Sequence, residues 1–352
     1  MIKVLVAEDS PTARELLIDT LSSDPGMVVV GSARSGTEAV AMARDLKPDV
    51  ITMDIEMPGM NGIEATRAIM RESPTRIIIV STLFRDGEVA LSLEATRAGA
   101  LMVMPKPGSP HSPRFAAERH QLLSMVRAMS GVKVVRRLFD AASRTPSVLT
   151  FRKDALEPPA DRGRIRVVAI GASTGGPAAL SDILGELPQT YPVPILVVQH
   201  IAIGFVAGLA RWLNDNSRLS VVVATADTVA AAGTVYIAPD DTHLGLAPGL
   251  RLSLSSAPPT GSFRPSATPL FESAARAAGA GVLAVMLTGM GDDGVTGLRA
   301  VRAAGGRIIA QDEESSVVYG MPREAVRAGV VDAVVPLSGM ARAMMQIVGA
   351  AL

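Results

Sequence analysis

The heptapeptide Gly171-Ala172-Ser173-Thr174-Gly175-Gly176-Pro177 decides how this chain is read. It follows the apolar run Val167-Val168-Ala169-Ile170 and leads into a helix-like segment from Ala178, so it is a strand-to-helix turn with a hydroxyl at its centre. Two other apolar runs end in the groups such a hydroxyl needs. Pro194-Ile195-Leu196-Val197-Val198-Gln199 stops at His200, and residues 282–287 stop just before Thr288-Gly289-Met290-Gly291-Asp292-Asp293-Gly294. In open parallel α/β sheets the carboxyl ends of the strands line one crevice, so three such ends can converge although they are distant in sequence. A hydroxyl, an imidazole and a carboxylate on that rim read as a serine hydrolase site.

Composition bounds the rest. The chain has 352 residues, 48% of them hydrophobic, enough for two domains with full cores. Lys plus Arg and Asp plus Glu are 34 each, a balance that lacks the electrostatic footprint of a nucleic-acid binder. Cysteine is absent, which excludes disulfides, thiolate catalysis and thiolate-ligated metals. The apolar start, residues 1–7, runs into Glu8-Asp9 and is too short for a secretory leader. No apolar run approaches the roughly 20 residues of a membrane span. The expectation is a cytoplasmic protein with no membrane insertion and no nucleic-acid partner.

In the first part of the chain, Val- and Ile-rich runs at 3–7, 27–30, 49–53, 76–80 and 101–104 alternate with helical stretches at 12–21, 37–46, 63–71 and 88–98. That alternation predicts an α/β domain, a five-stranded parallel sheet with helices on both faces. A last helix is predicted near 115–129, where Phe115, Leu122, Val126 and Met129 share a face that serves packing. Acidic residues follow the first and third strands, Glu8-Asp9 and Asp54; Ser81 and Lys106 follow the fourth and fifth. Three carboxylates in one pocket repel one another unless a hard cation shares them, and Mg²⁺ takes one or two carboxylates together with phosphate and water oxygens.

These residues carry a resemblance. Ala7-Glu8-Asp9-Ser10, Met53-Asp54-Ile55-Glu56-Met57-Pro58-Gly59-Met60-Asn61-Gly62 and Pro105-Lys106-Pro107 resemble a response-regulator receiver domain, which is flavodoxin-like in fold. The resemblance implies that Asp54 accepts a phosphoryl group from a histidine kinase. It implies that Glu8, Asp9 and Asp54 hold Mg²⁺ with the Glu56 backbone, that Ser81 contacts the phosphoryl group and that Lys106 pairs with it. Val103 stands where receivers often carry an aromatic switch residue.

Between 141 and 164 the hydrophobic periodicity fades and Pro146, Pro158, Pro159 and Gly163 accumulate, which reads as a connector between domains at 1–140 and 165–352. The second domain offers strands at 165–170, 195–198, 220–224, 234–238, 282–287, 307–310 and 333–335, and helices at 178–186, 204–214, 269–278 and 294–304. The prediction is a doubly wound, mostly parallel sheet. An antiparallel excursion is expected near 234–254, with 236–239 and 250–254 flanking a turn-rich centre that contains His243.

Glycines at a strand-to-helix turn also cradle phosphates, so a nucleotide loop competes at Ser173. No Lys follows in a Gly-Lys-Ser/Thr pattern, and the glycine spacing is not that of a dinucleotide site. Pro177 fits the first helical position, where the missing N–H costs nothing, leaving backbone donors near Ser173 for a developing oxyanion. The second domain holds two histidines, His200 and His243. His200, closing an apolar strand, is the better general base. The acid is Asp292 or Asp293.

A second resemblance covers this part. The stretch 171–177, Val198-Gln199-His200, the stretch 287–294 and Tyr319-Gly320-Met321-Pro322-Arg323-Glu324-Ala325 resemble the catalytic domain of the chemotaxis protein-glutamate methylesterase family, CheB. The resemblance implies that Ser173 is the nucleophile, His200 the base and Asp293 the orienting acid, with Thr174 and Met290 at the oxyanion site. It implies hydrolysis of glutamate methyl esters on chemoreceptor cytoplasmic domains, glutamine deamidation as a second activity, and no cofactor for the esterase reaction. Release of the catalytic face on phosphorylation of Asp54 follows from the same resemblance. Two departures stand out: Ile201-Ala202-Ile203 replaces the usual prolines after Gln-His, and Arg264-Pro265-Ser266-Ala267-Thr268 ends in Thr268 where the family commonly has Asp. A rival reading makes the second domain a non-catalytic output module that binds a receptor or a nucleotide; a DNA-binding regulator lacks the basic stripe it needs.

Overall fold

The computed structural model describes residues 1–81, 86–132 and 164–349. Apart from Arg164, the expected connector lies outside the described residues. Contacts divide the chain into two units, Met1–Ser143 and Arg144–Leu352.

The first unit runs β1 (Ile2–Ala7), α1 (Pro11–Ser22), β2 (Met27–Ala33), α2 (Gly36–Leu46), β3 (Val50–Met53), α3 (Gly62–Glu72), β4 (Arg76–Ser81), α4 (Asp86–Arg97), β5 (Met102–Pro105) and α5 (Phe115–Ser130). Val4 to Ala7 and all of β3 are buried, the signature of strands covered on both faces. The sheet order is β2-β1-β3-β4-β5, parallel throughout. Helix starts follow local chemistry. Ser10 and Ser35 cap α1 and α2 with their hydroxyls, and Asn61 with Glu64 forms a reciprocal capping box on α3. In this order the chain reverses direction between β1 and β3, and ligands bind outside that switch point. Glu8, Asp9 and Asp54 follow those two strands.

The second unit contains β6 (Val167–Ala172), α6 (Gly176–Glu186), β7 (Ile195–Gln199), α7 (Val206–Asp215), β8 (Ser220–Val223), β9 (Thr234–Ile237), β10 (His243–Ala247), β11 (Arg251–Ser255), α8 (Ala267–Ala278), β12 (Val282–Met286), α9 (Val295–Ala303), β13 (Arg307–Gln311), α10 (Met321–Arg327), β14 (Ala333–Val335) and α11 (Leu337–Val348). Its seven-stranded sheet has the order β14-β13-β12-β6-β7-β9-β8, and every pairing is parallel. The chain enters at the central β6, winds outward through β7 to β8 and β9, then returns to β12 on the other side of β6. The switch point therefore lies at β6, with the ends of β7 and β12 on either flank. The α/β class expected for both parts is the class found.

One local expectation is corrected. The antiparallel pair is β10 with β11, His243 opposite Ser255, whereas β9 belongs to the parallel sheet. His243 opens a strand instead of sitting in a turn-rich centre. The strand shows in the alternation of Leu244 and Leu246 about Gly245; the neighbouring Asp240-Asp241 and Pro248-Gly249 draw attention to turns instead. The helices α10 and α11 are further elements that the periodicity reading did not isolate.

Candidate active site and phosphoacceptor site

The turn after β6 is bonded to both neighbouring strands. The Ser173 amide donates to the Thr288 carbonyl at 3.0 Å, and the Ser173 carbonyl accepts from Gly176 N and from Gln199 Nε2, each at 2.8 Å. Gly175, at φ 78°, occupies the left-handed region that closes the turn before α6. Ser173 is left half-buried at the sheet rim. Thr288, buried beyond β12, donates its hydroxyl to the Thr174 carbonyl at 2.9 Å and accepts from Val318 N at 2.9 Å.

Fewer amides are open here than the sequence suggests. Those of Ser173, Gly176 and Gly289 are spent on internal carbonyls. The amides of Thr174 and Met290 have no acceptor among the described residues, and Met290 is 41% exposed.

His200 leaves β7 with its amide bonded to the Ala172 carbonyl at 2.9 Å, so the histidine emerges beside the serine turn. Gln199 Nε2, already on Ser173, also donates to the His200 carbonyl at 2.8 Å. The imidazole Nε2 meets Asp293 Oδ2 at 2.9 Å, while Nδ1 is buried with no internal partner among the described residues. The Phe263 ring lies flat on the imidazole, centroids 4.0 Å apart and planes 2° from parallel.

Asp293 is buried, whereas Asp292 is exposed. Besides His200, Asp293 Oδ2 accepts from Ala267 N at 2.7 Å; Oδ1 accepts from Ser266 Oγ at 2.5 Å and Thr268 Oγ1 at 3.1 Å. Burial works against the charged form, but the hydrogen bonds from His200, Ser266 and Ala267 outweigh it and hold the carboxyl pKa down to about 2. The group is a carboxylate with every donor pointed at it. The geometry thus separates the two aspartates that spacing left open.

His243 is committed elsewhere. It is buried; Ser266 N points at Nδ1 at 3.3 Å, and the Pro258 carbonyl lies 3.2 Å from Nε2. Both ring nitrogens are thus taken up by backbone groups, one by an N–H and the other by a carbonyl. It props the segment carrying Ser266 and Thr268.

Sequence reasoning passed over Gln199, Thr288, Ser266, Phe263 and the support role of Thr268. For Gln199 a signal exists: an amide closes a strand otherwise made of Ile, Leu and Val, and a buried polar residue there must be bonded. Nothing local marks Phe263.

In the first unit, Glu8 and Asp54 are buried, Asp9 is exposed, and the three offer carboxylate oxygens within 4.8 Å of one another. Lys106 Nζ lies 2.8 Å from Glu8 and 2.9 Å from Asp54. Burial raises the Asp54 carboxyl pKa, Lys106 and the Ile55 amide only partly oppose it, and Asp9 adds to the rise; Glu8 is raised by burial too. Such a cluster is short of positive charge, which fits a divalent cation. Ser81 is buried at the end of β4, its carbonyl accepting from Lys106 N at 3.0 Å. Glu56 and Asp9 share the walls of a cavity of about 460 Å³ with Ile55, Met57, Pro58, Asn61, Ile63 and Leu91. Arg14 Nη1 donates to the carbonyls of Glu8 and Asp9 at 2.9 and 3.0 Å and pins the acidic turn. Val103 packs against the core of this unit.

Comparison with known proteins agrees with this division. Residues 168–344 match the family described as CheB methylesterase, and residues 4–113 match the response regulator receiver domain. A protein-glutamate methylesterase/protein-glutamine glutaminase of Myxococcus xanthus is 52% identical over 340 residues, 97% of this chain and 95% of the relative. Another from Anaeromyxobacter dehalogenans is 51% identical over 335 residues, 95% of each. Among solved structures, the CheB methylesterase catalytic domain of Thermotoga maritima superposes with a TM-score of 0.51 at 38% identity, covering 53% of this chain and all of that one.

Proposed function

Because the chain belongs to the CheB methylesterase family and carries a response-regulator receiver domain ahead of the esterase region, we propose that it hydrolyses glutamate γ-methyl esters on chemoreceptor cytoplasmic domains under control of Asp54 phosphorylation. In this reading residues 1–140 are the receiver, 141–164 the connector and 165–352 the catalytic domain.

The observation that carries the esterase assignment is the 2.9 Å bond from His200 Nε2 to an ionised Asp293, with Nδ1 unpartnered among the described residues beside the Ser173 turn. As the Ser173 Oγ–carbon bond forms, the Oγ proton passes to Nδ1 and the carbonyl electron pair moves onto oxygen. The Thr174 and Met290 amides face that oxyanion. Asp293 stays ionised and stabilises the imidazolium. Collapse expels methanol, which takes the proton from Nδ1. Water, deprotonated by the same nitrogen, then attacks the acyl-enzyme and releases the glutamate carboxylate and Ser173. With a glutamine side chain the leaving group is ammonia, which gives the deamidase reaction the same residues.

In the receiver, Asp54 Oδ attacks the phosphohistidine of a chemotaxis kinase. Glu8, Asp9, Asp54 and the Glu56 backbone would hold Mg²⁺, which neutralises phosphoryl charge when bound. Lys106 pairs with the transferred group and Ser81 contacts it; both lie at the ends of neighbouring strands. A phosphoryl group on Asp54 competes for the Lys106 ammonium now shared with Glu8, and this exchange of partners biases the receiver's conformation.

The test is methanol release from membranes bearing methylated receptors. Ser173→Ala is expected to lose at least ~10³-fold in kcat. A phosphodonor is expected to accelerate the wild type and leave Asp54→Ala unchanged. Undiminished release by Ser173→Ala would reject the nucleophile, and a phosphodonor without effect on the wild type would reject the regulation.

A further inference from the structure

We infer that Phe263 is a positioning residue of the esterase site: its ring fixes the plane of the His200 imidazole and steadies the cation that forms there when Ser173 gives up its proton. This rests on the esterase reading above. The Asp293 bond holds one edge of the imidazole, at Nε2, but a single hydrogen bond leaves the ring free to rock about its Cβ–Cγ axis. A parallel aromatic ring at 4.0 Å removes that freedom and fixes where Nδ1 points. In the attack step the ring gains a proton at Nδ1 and a full positive charge, and a cation over an aromatic face within about 6 Å is attracted by the ring quadrupole. The stack therefore favours the state in which the proton has moved.

The segment holding Phe263 is anchored for this task. Thr260 and Phe263 exchange backbone hydrogen bonds at 3.1 and 3.2 Å, closing a tight turn. Next along the chain, the Arg264 guanidinium forks onto both oxygens of Asp241 at 2.7 Å each and donates to the carbonyls of Ser256 and Ala257 at 3.1 and 3.2 Å. Two residues further, Ser266 grips Asp293. One short segment thus aims the imidazole through Phe263 and the carboxylate through Ser266, Ala267 and Thr268. Phe263 is half-buried and is not one of the buried hydrophobic residues of this unit.

The experiment uses the full chain labelled at histidine ¹³Cε1, where four histidines give a simple spectrum. Wild type, Phe263→Leu and Phe263→Tyr are compared in methanol release and in the His200 Cε1–H shift. Leucine keeps an apolar cover and loses the aromatic face; tyrosine keeps both. The expected result for Phe263→Leu is a fall of roughly 5- to 10-fold in kcat with KM within about twofold, and loss of the upfield ring-current shift at His200. Phe263→Tyr is expected to restore both. Wild-type kcat in a folded Phe263→Leu, or a loss that Phe263→Tyr does not restore, overturns the inference. An active Ser173→Ala would instead overturn the esterase reading, while the ring-current comparison still reports on the stack.

Discussion

The side-chain amide of Gln199 donates to the Ser173 carbonyl at 2.8 Å, and the same nitrogen donates to the His200 carbonyl at 2.8 Å. One buried group therefore ties the turn after β6 to the turn after β7, the two segments that bring the hydroxyl and the imidazole to the rim. Gln199→Leu removes the tie and leaves the His200 carbonyl short of a partner, a cost of about 1–3 kcal/mol in stability. Loosened alignment is expected to reduce kcat by ~10–100-fold with little change in KM. Gln199→Glu replaces the donor with an acceptor facing two carbonyls. It should be less stable than Gln199→Leu at pH 8, with the gap narrowing toward pH 5 as the carboxyl regains a proton. Thermal melts at both pH values, with steady-state methanol release, check this; a leucine variant with wild-type kcat would remove Gln199 from the positioning scheme.

Asp293 makes a pH prediction with a definite sign. Its folded pKa of about 2 lies below the ordinary 3.8, so the folded state binds fewer protons than the unfolded state between those values. The carboxylate's contribution, about 2 kcal/mol, is complete above pH ~4 and is lost as pH falls through ~2. Asparagine keeps the shape without the charge. Wild type should exceed Asp293→Asn in stability above pH ~4, the margin shrinking as pH falls below that value. In activity, Asp293→Asn is expected to lose ~10³–10⁴-fold in kcat, because the imidazolium loses its counter-charge and its tautomer is no longer enforced. Denaturant titrations across pH and single-turnover methanol release test the two halves separately.

What was legible in the sequence follows from how far each signal reaches. Parallel sheets buried on both faces write themselves as continuous Val and Ile runs, so β1, β3, β6, β7 and β12 stand out, and the residues just beyond them can be assigned to one rim. That rule brings His200 to the same rim as the Asp292-Asp293 pair without any knowledge of strand order, and leaves the choice between the two acids open. Supports that arrive from elsewhere are another matter. Ser266 and Thr268 reach Asp293 from the start of α8, and Phe263 reaches His200 from a turn with no periodic pattern. Their meaning lies in contacts across about 25 to 60 residues of chain, which local propensity does not encode. β10 was obscured by flanking turn residues, although Leu244 and Leu246 mark its buried positions.

Asp54 is costly to keep charged. Its pKa is raised by burial and by Asp9, so the folded receiver binds protons more readily than the unfolded chain, and stability declines as pH rises through that interval. Asp54→Asn escapes this penalty and leaves Lys106 to Glu8. The variant is expected to melt a few degrees above wild type at pH 7.5 without metal. Millimolar Mg²⁺ should stabilise wild type and do so far less for Asp54→Asn, since binding to the folded state alone shifts stability by mass action. Calorimetry of both proteins with and without Mg²⁺ checks the order, and an asparagine variant less stable than wild type in EDTA would contradict it.

Gly62 limits how the loop after Asp54 can be built. A Cβ on Gly62 would lie 1.9 Å from the Asp54 carbonyl oxygen and 2.9 Å from its carbon, both backbone atoms that cannot swing aside. The Gly62 amide also donates to the Ile55 carbonyl at 2.9 Å, so the loop from Asp54 to the start of α3 is closed over the glycine. Gly62→Ala must push Asp54 off the end of β3, away from Lys106 and the acidic pair. The expected outcome is a receiver destabilised by about 3 kcal/mol or more, in the range of severe overpacking, with phosphorylation from a small-molecule phosphodonor slowed at least ~10-fold. Methanol release without a phosphodonor should still depend on Ser173, because the change is confined to the first unit. Parallel measurement of phosphoryl uptake and of basal esterase activity separates a local defect from a general failure to fold, and unimpaired phosphoryl uptake would show that the loop has another way to place Asp54.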